Sequence, residues 1–252
     1  MNKIAFITGA TSGIGRASAR LFAKNNYDLI ICGRRSDRLN VLEEELKSEH
    51  QVEMLSLSFD VRNQKEVEEK IEAIPDQWKK IDLLLNNAGL SAGLNTIQEG
   101  DLVHWEKMID TNVKGLLYVS KAIMPLMINQ GYGHIINIGS LAGKEVYPKG
   151  NVYCASKHAV DAITQSMRID LLEHKIRVSL VIPGATETEF SLVRFDGDKE
   201  KAKKVYDGFQ ALSAEDVADS IYYAASRPPH INVNEILLMP LAQANLSNIK
   251  RN

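Results

Sequence analysis

Short apolar runs and longer segments with helical periodicity alternate along the whole chain. The first run, Ile-Ala-Phe-Ile at 4–7, predicts a buried parallel strand, because both faces of such a strand are covered by other elements. Residues 15–24 carry apolar side chains at helical spacing and predict a helix. The same pattern predicts further strands at 28–32, 52–57, 81–85, 134–138, 177–182 and 235–239, and further helices at 37–49, 63–74, 102–130, 152–174 and 214–226.

Repeated units of strand and helix predict the fold class. They imply an α/β protein with a parallel sheet of about seven strands, helices on both faces and right-handed crossovers. No linker, internal repeat or low-complexity segment interrupts the pattern over the 252 residues. We therefore expect residues 1–252 to form a single domain of the doubly wound Rossmann type.

Composition and charge exclude several classes of protein. The chain is 44% hydrophobic and 25% charged, and its net charge of -2 gives no attraction towards nucleic acid or an anionic membrane. Cys32 and Cys154 are too few for a disulfide scaffold or a zinc site, so we expect no bound metal. No apolar stretch approaches the ~18 residues of a membrane span, and the first predicted strand leaves no room for a signal peptide. The expectation is a soluble cytoplasmic protein.

A glycine-rich turn separates the first predicted strand from the first helix. Backbone N–H groups at such a turn approach a pyrophosphate at the helix N-terminus, where the helix dipole favours negative charge. An ordinary strand-to-helix turn is the alternative interpretation. The strand before the turn and the helix after it favour a dinucleotide site. The predicted cofactor-binding residues there are Gly9, Thr11, Ser12, Gly13, Ile14 and Gly15.

A second cluster of residues points to carbonyl chemistry. Tyr153 and Lys157 are four positions apart and share one face of a predicted helix. An ammonium beside a phenol favours the phenolate and lowers its pKa from ~10, which makes Tyr153 a usable general acid or base. Ser140 lies thirteen residues before Tyr153. It is either a hydrogen-bond donor to the substrate or a turn serine that ends a strand.

The residues after the second predicted strand indicate the cofactor. An NAD enzyme carries a carboxylate there for the ribose 2′-hydroxyl. Here neutral Gly33 occupies that position, and the guanidinium groups of Arg34 and Arg35 follow, suited to a 2′-phosphate. Asp37 is the nearby acid, but Ser36-Asp37 is typical of a helix N-terminus. The sequence predicts NADP, with solvated arginines at a helix start as the alternative.

Together these motifs resemble the short-chain dehydrogenase/reductases. The resemblance runs over essentially the whole chain and rests on Thr-Gly-x-x-x-Gly-Ile-Gly at 8–15, Asn-Asn-Ala-Gly at 86–89, Asn112, Ser140, Tyr153-x-x-x-Lys157 and Pro183-Gly184. Residues 134–140, 150–153 and 188–195 are most similar to the NADP-dependent 3-hydroxy acid dehydrogenases. In that group a small residue usually follows the serine, whereas Leu141 follows it here and is expected to narrow the pocket or shift the preference.

The resemblance implies a role for each residue. Tyr153 would pass the proton to or from the substrate oxygen, and Ser140 would donate a hydrogen bond to that oxygen. Lys157 would lower the tyrosine pKa and bind the nicotinamide ribose. Asn112 would hold a water linked to Lys157, or simply be an asparagine inside a helix. Further cofactor contacts are expected from Asp60, Val61, Asn87, Ala88, Gly89, Pro183, Gly184, Thr186 and Thr188, with Asp60 as a plain turn residue the alternative.

The resemblance also implies a substrate and an assembly. The expected reaction interconverts a short 3-hydroxy acid and its 3-oxo form. Independently of the resemblance, residues 183–207 follow the sixth predicted strand at the carboxyl edge of the sheet and begin with Pro183-Gly184, so we expect them to form a mobile lid. Arg194 would bind the substrate carboxylate or, equally, lie on the surface or at a subunit interface. The two long helices would pair across subunits to give a homotetramer. The alternatives are a reductase of bulkier 3-oxoacyl or other ketone substrates and a nonenzymatic NADP-binding sensor or scaffold.

Overall fold

The computed structural model describes residues 2–252 and contains one parallel sheet of seven strands, in the order β3-β2-β1-β4-β5-β6-β7. The chain starts in the middle of the sheet, builds one half outwards, and returns to add β4 on the other side of β1. A crevice therefore opens at the carboxyl ends of β1 and β4, where strand order reverses. The strands are β1 Lys3–Thr8, β2 Tyr27–Gly33, β3 Met54–Ser58, β4 Ile81–Asn86, β5 Gly133–Ile138, β6 Ile176–Pro183 and β7 Glu235–Leu238.

Helices cover both faces of the sheet. Side chains of α1, α2 and α9 pack on one face, and side chains of α3, α5 and α6 pack on the other. The expected doubly wound α/β fold is thereby confirmed. The helices are α1 Gly13–Lys24, α2 Ser36–Glu49, α3 Gln64–Glu72, α4 Leu102–Ile109, α5 Leu116–Gln130, α6 Asn151–Asp170, α7 Glu189–Arg194, α8 Lys199–Lys204 and α9 Ala214–Ala225.

The central strand β1 shows why apolar runs form this sheet. Successive side chains of a strand point to opposite faces. Ile4 and Phe6 accordingly enter the core on the α3, α5 and α6 side, whereas Ala5 and Ile7 enter the core on the α1, α2 and α9 side. Both faces of β1 are buried, which requires an uninterrupted apolar run.

Several element boundaries differ from the sequence prediction. The expected helix 102–130 is divided by a π-helical segment, Asp110–Gly115, between α4 and α5. The expected helix 152–174 ends earlier, because α6 stops at Asp170 and a short 3₁₀ turn, Leu172–His174, follows. α7 and α8 were not among the helices predicted from periodicity. No helix within residues 2–252 has the length and apolar character needed to cross a membrane.

The last residues of the chain return to the carboxyl edge of the sheet. Gln243 is buried, and its Oε1 accepts a hydrogen bond from the backbone N–H of Ala185, at 2.8 Å, just after β6. Leu246 packs against the cluster that contains Tyr153 and Phe190. The chain's C-terminal segment therefore forms part of the same rim as the loops that follow β1, β4, β5 and β6.

Candidate active site

A cleft of about 470 Å³ opens at the carboxyl edge of the sheet. It gathers loops from β1, β2, β3, β4, β5 and β6, so residues far apart in the chain meet there. The predicted site residues that line it are Gly9, Thr11, Ser12, Gly13, Ile14, Arg34, Arg35, Asp60, Val61, Asn87, Ala88, Gly89, Ser140, Tyr153, Lys157, Pro183, Gly184, Thr186, Thr188 and Arg194. Of the predicted set, Gly15 and Asn112 lie behind the lining instead.

The glycine-rich turn needs glycine for two physical reasons. Gly9 and Gly13 have φ angles of 66° and 52°, a left-handed conformation that favours glycine. A side chain at Gly15 would overlap the carbonyl oxygen of Gly9 and the side chain of Asn87. Gly15 thus allows α1 to approach β4 closely, which explains why it lies behind the cleft wall.

The N-terminus of α1 is open towards an anion. Among the described residues, no side chain caps this helix, and its first turn contains no acidic residue. α9, in contrast, begins with a complete capping box. The first N–H groups of a helix have no partner within it, and the helix dipole adds positive potential at that end. The turn at Ser12 and Gly13 can therefore bind a negatively charged group.

Asn87 connects the ends of β1 and β4. Its Nδ2 donates to the carbonyl oxygens of Thr8, at 2.9 Å, and Gly9, at 3.2 Å. The backbone N–H groups of Asn87 and Ala88 both donate to Thr8 Oγ1 at 2.9 Å. Asn87 therefore fixes the floor of the cleft as well as lining it.

The two predicted arginines differ in how firmly they are held. Arg35 Nη2 donates to Thr11 Oγ1, at 2.7 Å, and to Ser12 Oγ, at 3.0 Å, so this guanidinium is anchored to the glycine-rich turn. Arg34 is 55% exposed, and its Nη1 lies 3.9 Å from Asp60 Oδ2. A side chain at Gly33 would lie 2.8 Å from the Thr11 methyl group, so a carboxylate there would require Thr11 to move.

Asp60 is held mainly by arginines. Burial opposes its ionisation, but hydrogen bonds from Arg62 and the charge of Arg34 hold the pKa of its carboxyl below the usual range. Its Oδ1 also accepts from the backbone N–H of Arg62 at 3.1 Å, as a turn residue does. Asp60 thus lines the cleft and stabilises the turn after β3 at the same time.

Tyr153 and Lys157 are buried on the same face of α6, as their spacing predicts. Burial raises the pKa of Tyr153, and a hydrogen bond with Ser140 and the charge of Arg194 oppose that increase. Lys157 Nζ donates to the carbonyl oxygen of Ile138 at 2.8 Å, and burial lowers the pKa of this lysine to about 8. The expected lowering of the tyrosine pKa by Lys157 is therefore not found, because desolvation of the phenol dominates.

Ser140 has the contacts of a turn serine and also lines the cleft. It ends β5, and its Oγ accepts from the backbone N–H of Ala142 at 3.1 Å, as in a turn serine. The same hydroxyl acts on Tyr153 and opposes the rise of the tyrosine pKa. A hydroxyl has one donor and two acceptor sites, so the turn contact leaves its donor available.

Asn112 lies in the π-helical segment, beneath the loop that follows β4. Its Nδ2 donates to the carbonyl oxygen of Leu90, at 2.8 Å, and to Ser156 Oγ, at 3.0 Å. Its Oδ1 accepts from the backbone N–H of Leu90 at 2.8 Å. The side chain therefore fixes this loop against α6, a positioning contact that sequence alone did not predict.

Arg194 projects into the end of the cleft that contains Tyr153. Its Nε donates to Ser91 Oγ, at 3.0 Å, and its Nη2 donates to the hydroxyl of Tyr147, at 2.9 Å. Its guanidinium carbon lies 5.3 Å from the ring centroid of Tyr153 and 5.1 Å from that of Phe190. Within residues 2–252 no carboxylate forms an ion pair with it. The guanidinium thus lies beside Tyr153 and not on the outer surface.

Other lining residues were not identified from the sequence. They come from the loop after β4, the segment after β5, the region of α7 and α8, and the C-terminal segment, and apart from Glu189, Val205 and Tyr206, which fall within the expected lid, none lies in a segment that the sequence analysis singled out. They are Leu90, Tyr147, Glu189, Val205, Tyr206, Gln243, Leu246 and Ile249, and Ser91 lies directly behind them. Leu141, singled out from the sequence, also lines the cleft. No group of three or more His, Cys, Asp or Glu residues in the described chain could hold a metal ion.

Comparison with known proteins gives relatives over almost the full length. The chain is 43% identical over 242 residues to an NADP-dependent 3-hydroxy acid dehydrogenase, YdfG, of Salmonella typhi, covering 96% of each chain. It is 45% identical over 245 residues to sulfoacetaldehyde reductase 2 of Chromohalobacter salexigens, covering 97% of this chain and 96% of that protein.

Solved structures and a family model agree with these relatives. The closed form of serine dehydrogenase complexed with NADP+ superimposes with a TM-score of 0.93 at 40% identity, covering 99% of this chain and 100% of that one. The family model described as short chain dehydrogenase matches residues 3–198. Together with the cleft that gathers Ser140, Tyr153 and Lys157, these matches show that the chain belongs to the short chain dehydrogenase family of oxidoreductases.

Proposed function

We propose that this protein is an NADP-dependent oxidoreductase that interconverts a short 3-hydroxy acid and its 3-oxo form. The observation that carries the proposal is the position of Arg194, whose guanidinium faces the cleft 5.3 Å from the ring of Tyr153. If the carboxylate of a substrate were bound there, a carbon two or three bonds from that carboxylate would lie near the hydroxyl of Tyr153. Short acids with a hydroxyl or carbonyl at that distance fit this spacing.

Three observations support NADP as the cofactor. The uncapped N-terminus of α1 suits the pyrophosphate, Gly33 leaves no carboxylate to repel a 2′-phosphate, and Arg35 is fixed beside Thr11 and Ser12. Arg34 would join Arg35 at the phosphate. Bound NADP supplies or accepts the hydride at its nicotinamide ring. Among the relatives, the 3-hydroxy acid dehydrogenase is NADP-dependent and the serine dehydrogenase is complexed with NADP+.

Residues of this chain would transfer the proton to and from the substrate oxygen. Tyr153 donates its phenolic proton to the substrate oxygen during reduction and accepts it during oxidation. Ser140 donates a hydrogen bond to the same oxygen, where negative charge develops. Lys157 lies on the same helix face and orients the cofactor ribose, and Asn112 holds the loop after β4 against this group. The raised pKa keeps Tyr153 protonated near neutral pH, which favours reduction.

The substrate end of the cleft supports a short anionic substrate. Arg194 offers a planar fork that matches a carboxylate, and Tyr147 and Ser91 hold this fork in place. Leu141 and Phe190 also line the cleft, and we expect these two side chains to limit the room for a long chain. This arrangement disfavours bulkier 3-oxoacyl substrates. Tyr153 and Ser140 are also unneeded in a nonenzymatic sensor.

A short sulfonated aldehyde is a second candidate substrate. The relative from Chromohalobacter salexigens is a sulfoacetaldehyde reductase at 45% identity, as close as the 3-hydroxy acid dehydrogenase. A sulfonate carries the same charge as a carboxylate, so Arg194 can bind either group. A substrate panel that includes sulfoacetaldehyde, 3-oxopropionate, L-serine, 3-hydroxypropionate and a longer 3-oxoacyl ester separates these classes.

The role of Arg194 is tested by replacing it with methionine. We expect Arg194→Met to lower kcat/KM at least about tenfold for the preferred acid, and much less for its neutral methyl ester, because only the acid loses an ion pair. Lys199→Met, which removes an exposed cation in α8, should leave both values unchanged. Equal losses on acid and ester would contradict a carboxylate contact.

We also propose a domain organisation, an assembly and a location for this protein. Residues 1–252 would form one domain, residues 183–207 would be its lid, and four copies would assemble in the cytoplasm. Exposed apolar side chains on the two long helical regions support subunit pairing through them: Leu102, Val103, Leu117, Ile169 and Leu172. Cys32 and Cys154 are free thiols, as a reducing compartment would keep them.

A further inference from the structure

An ion-pair bridge crosses the mouth of the cofactor cleft. Glu189 is the first residue of α7, and its two carboxylate oxygens accept from Arg38 Nη1 at 2.8 and 2.9 Å. Arg35 Nη1 donates to the same carboxylate at 3.2 Å. Both arginines lie at the start of α2, next to the end of β2. The bridge therefore joins the adenosine side of the cleft to the lid.

The bridge lies over the glycine-rich turn. Arg35 also donates to Thr11 and Ser12, which belong to that turn. On the other side, Thr188 packs on the turn so closely that a Cβ at Gly13 would lie 3.3 Å from the Thr188 Cβ. A pyrophosphate bound at the N-terminus of α1 would consequently lie beneath the bridge and be enclosed by it.

We propose that Arg35, Arg38 and Glu189 form a clasp that has to open whenever the dinucleotide enters or leaves. The clasp also holds the N-terminal end of α7, whose last residue is Arg194, in the closed position. This inference rests on the proposed function, because it assumes that the cleft binds a dinucleotide. It assigns a positioning role to Arg38 and Glu189, which lie outside the predicted cofactor-binding set.

The exposure of the clasp suits a part that opens repeatedly. The side chains of Arg35, Arg38 and Glu189 are 41%, 42% and 41% exposed. Ion pairs in such positions are screened by water and are individually weak. Opening therefore carries a modest free-energy cost, whereas two arginines on one carboxylate still slow the escape of a ligand enclosed beneath them.

Loss of the clasp and loss of a direct contact with the 2′-phosphate should affect NADP and NAD differently. The clasp would lie over the pyrophosphate, which NADP and NAD share, so its loss should speed the release of both cofactors by a similar factor. An arginine that only binds the 2′-phosphate affects NADP alone. A carboxylate that only competes with the 2′-phosphate for Arg35 would, when removed, slow the release of NADPH and leave NADH unchanged.

The test measures dissociation of NADPH and NADH from the purified protein by stopped-flow fluorescence. We expect Glu189→Gln and Arg38→Gln each to raise both dissociation rates about three- to tenfold, in keeping with a weak ion pair. The double variant should release them no faster than the faster single variant, because both changes break the same contact. Glu187→Gln removes an exposed carboxylate from the same segment and should leave both rates unchanged.

A second measurement needs no cofactor. In the cofactor-free protein, amide hydrogen exchange of residues 189–194 should be faster in Glu189→Gln than in wild type or Glu187→Gln, because α7 has lost its contact with α2. Unchanged release of both cofactors, or slower release of NADPH alone, would overturn the clasp while leaving the proposed function intact. Failure of the wild-type protein to bind either dinucleotide would overturn both proposals.

Discussion

Tyr153 experiences two opposing influences that decide in which direction it works best. Burial raises the pKa of its phenol, and the hydrogen bond with Ser140 and the charge of Arg194 act against that increase. Since the net direction is upward, the hydroxyl stays protonated as the pH rises past neutrality. Reduction should therefore be sustained at neutral pH and decline as the pH rises through the tyrosine pKa, whereas oxidation should increase over the same interval.

Replacement of Tyr153 by phenylalanine removes only the phenolic hydroxyl. Tyr153→Phe should lower kcat about 10²–10⁴-fold, the usual contribution of a general acid or base. NADP affinity, measured by fluorescence titration, should change less than about twofold because the ring and its packing remain. Tyr132→Phe, a partly exposed tyrosine elsewhere on the surface, is the matched control. Retention of more than a tenth of the wild-type kcat would contradict the assignment.

The residues around Tyr153 show which contacts can be predicted from the spacing of residues in the sequence and which cannot. The four-residue interval placed Tyr153 and Lys157 on one helix face, and the structure confirms that placement. It could not show that Lys157 donates to Ile138, or that the cation over the tyrosine ring is Arg194. Spacing along a helix fixes the face on which two side chains lie. The end point of a long side chain depends on elements that are distant in sequence.

At the scale of elements, β5 and β6 are joined by a buried histidine. His134 Nε2 lies 2.8 Å from Ser179 Oγ, and the two strands pair His134 with Arg177. Burial, with a smaller effect of Arg177, lowers the pKa of His134 to about 3. The unfolded chain binds a proton at this residue below about pH 6.5, whereas the folded protein does so only near pH 3.

Because the pKa of His134 is lower in the folded protein than in the unfolded chain, we expect the fold to lose stability in acid. The unfolded state binds more protons between pH 6.5 and 3, so the free energy of unfolding should fall as the pH drops through that interval, by at most about 1.4 kcal/mol per pH unit from this residue. Urea denaturation at pH 7, 6 and 5 should show a shallower decline for His134→Gln than for wild type. His230→Gln, at an exposed position, should decline like wild type. Parallel declines in all three would disprove the contribution of His134.

Strands and helices could be predicted from the sequence where their own apolar side chains are buried. The apolar runs of β1, β2, β4, β5 and β6 pack on both faces of the sheet, so each run predicted its strand. α8 has the sequence Lys-Glu-Lys-Ala-Lys-Lys and no buried residue, so it has no apolar face for periodicity to detect. It depends instead on a cap from Asp198 and on neighbouring elements. The π-helical segment at Asn112 likewise follows from contacts with Leu90 and Ser156, which no local pattern records.

At the scale of the whole molecule, exposed apolar side chains mark the faces that we expect to pair. Ile169 and Leu172 are 75% and 73% exposed near the end of α6, although both are aliphatic. Light scattering on the purified protein should give a mass about four times that of the 28.1 kDa chain. Ile169→Lys combined with Leu172→Lys should yield smaller species, because desolvating two charges opposes pairing. Leu241→Lys, at a fully exposed position, should not. A wild-type monomer would rule out the tetramer.

The bridge between α2 and α7 constrains any redesign of cofactor preference. The usual way to favour NAD is to install a carboxylate at the end of β2. Gly33→Asp would press a side chain against the Thr11 methyl group, and Arg35→Asp would set a new carboxylate against Glu189. Either route would disturb the proposed lid as well as the proposed phosphate site. A successful NAD variant would need a compensating change at Thr11 or Glu189, so nucleotide preference and closure over the substrate have to be redesigned together.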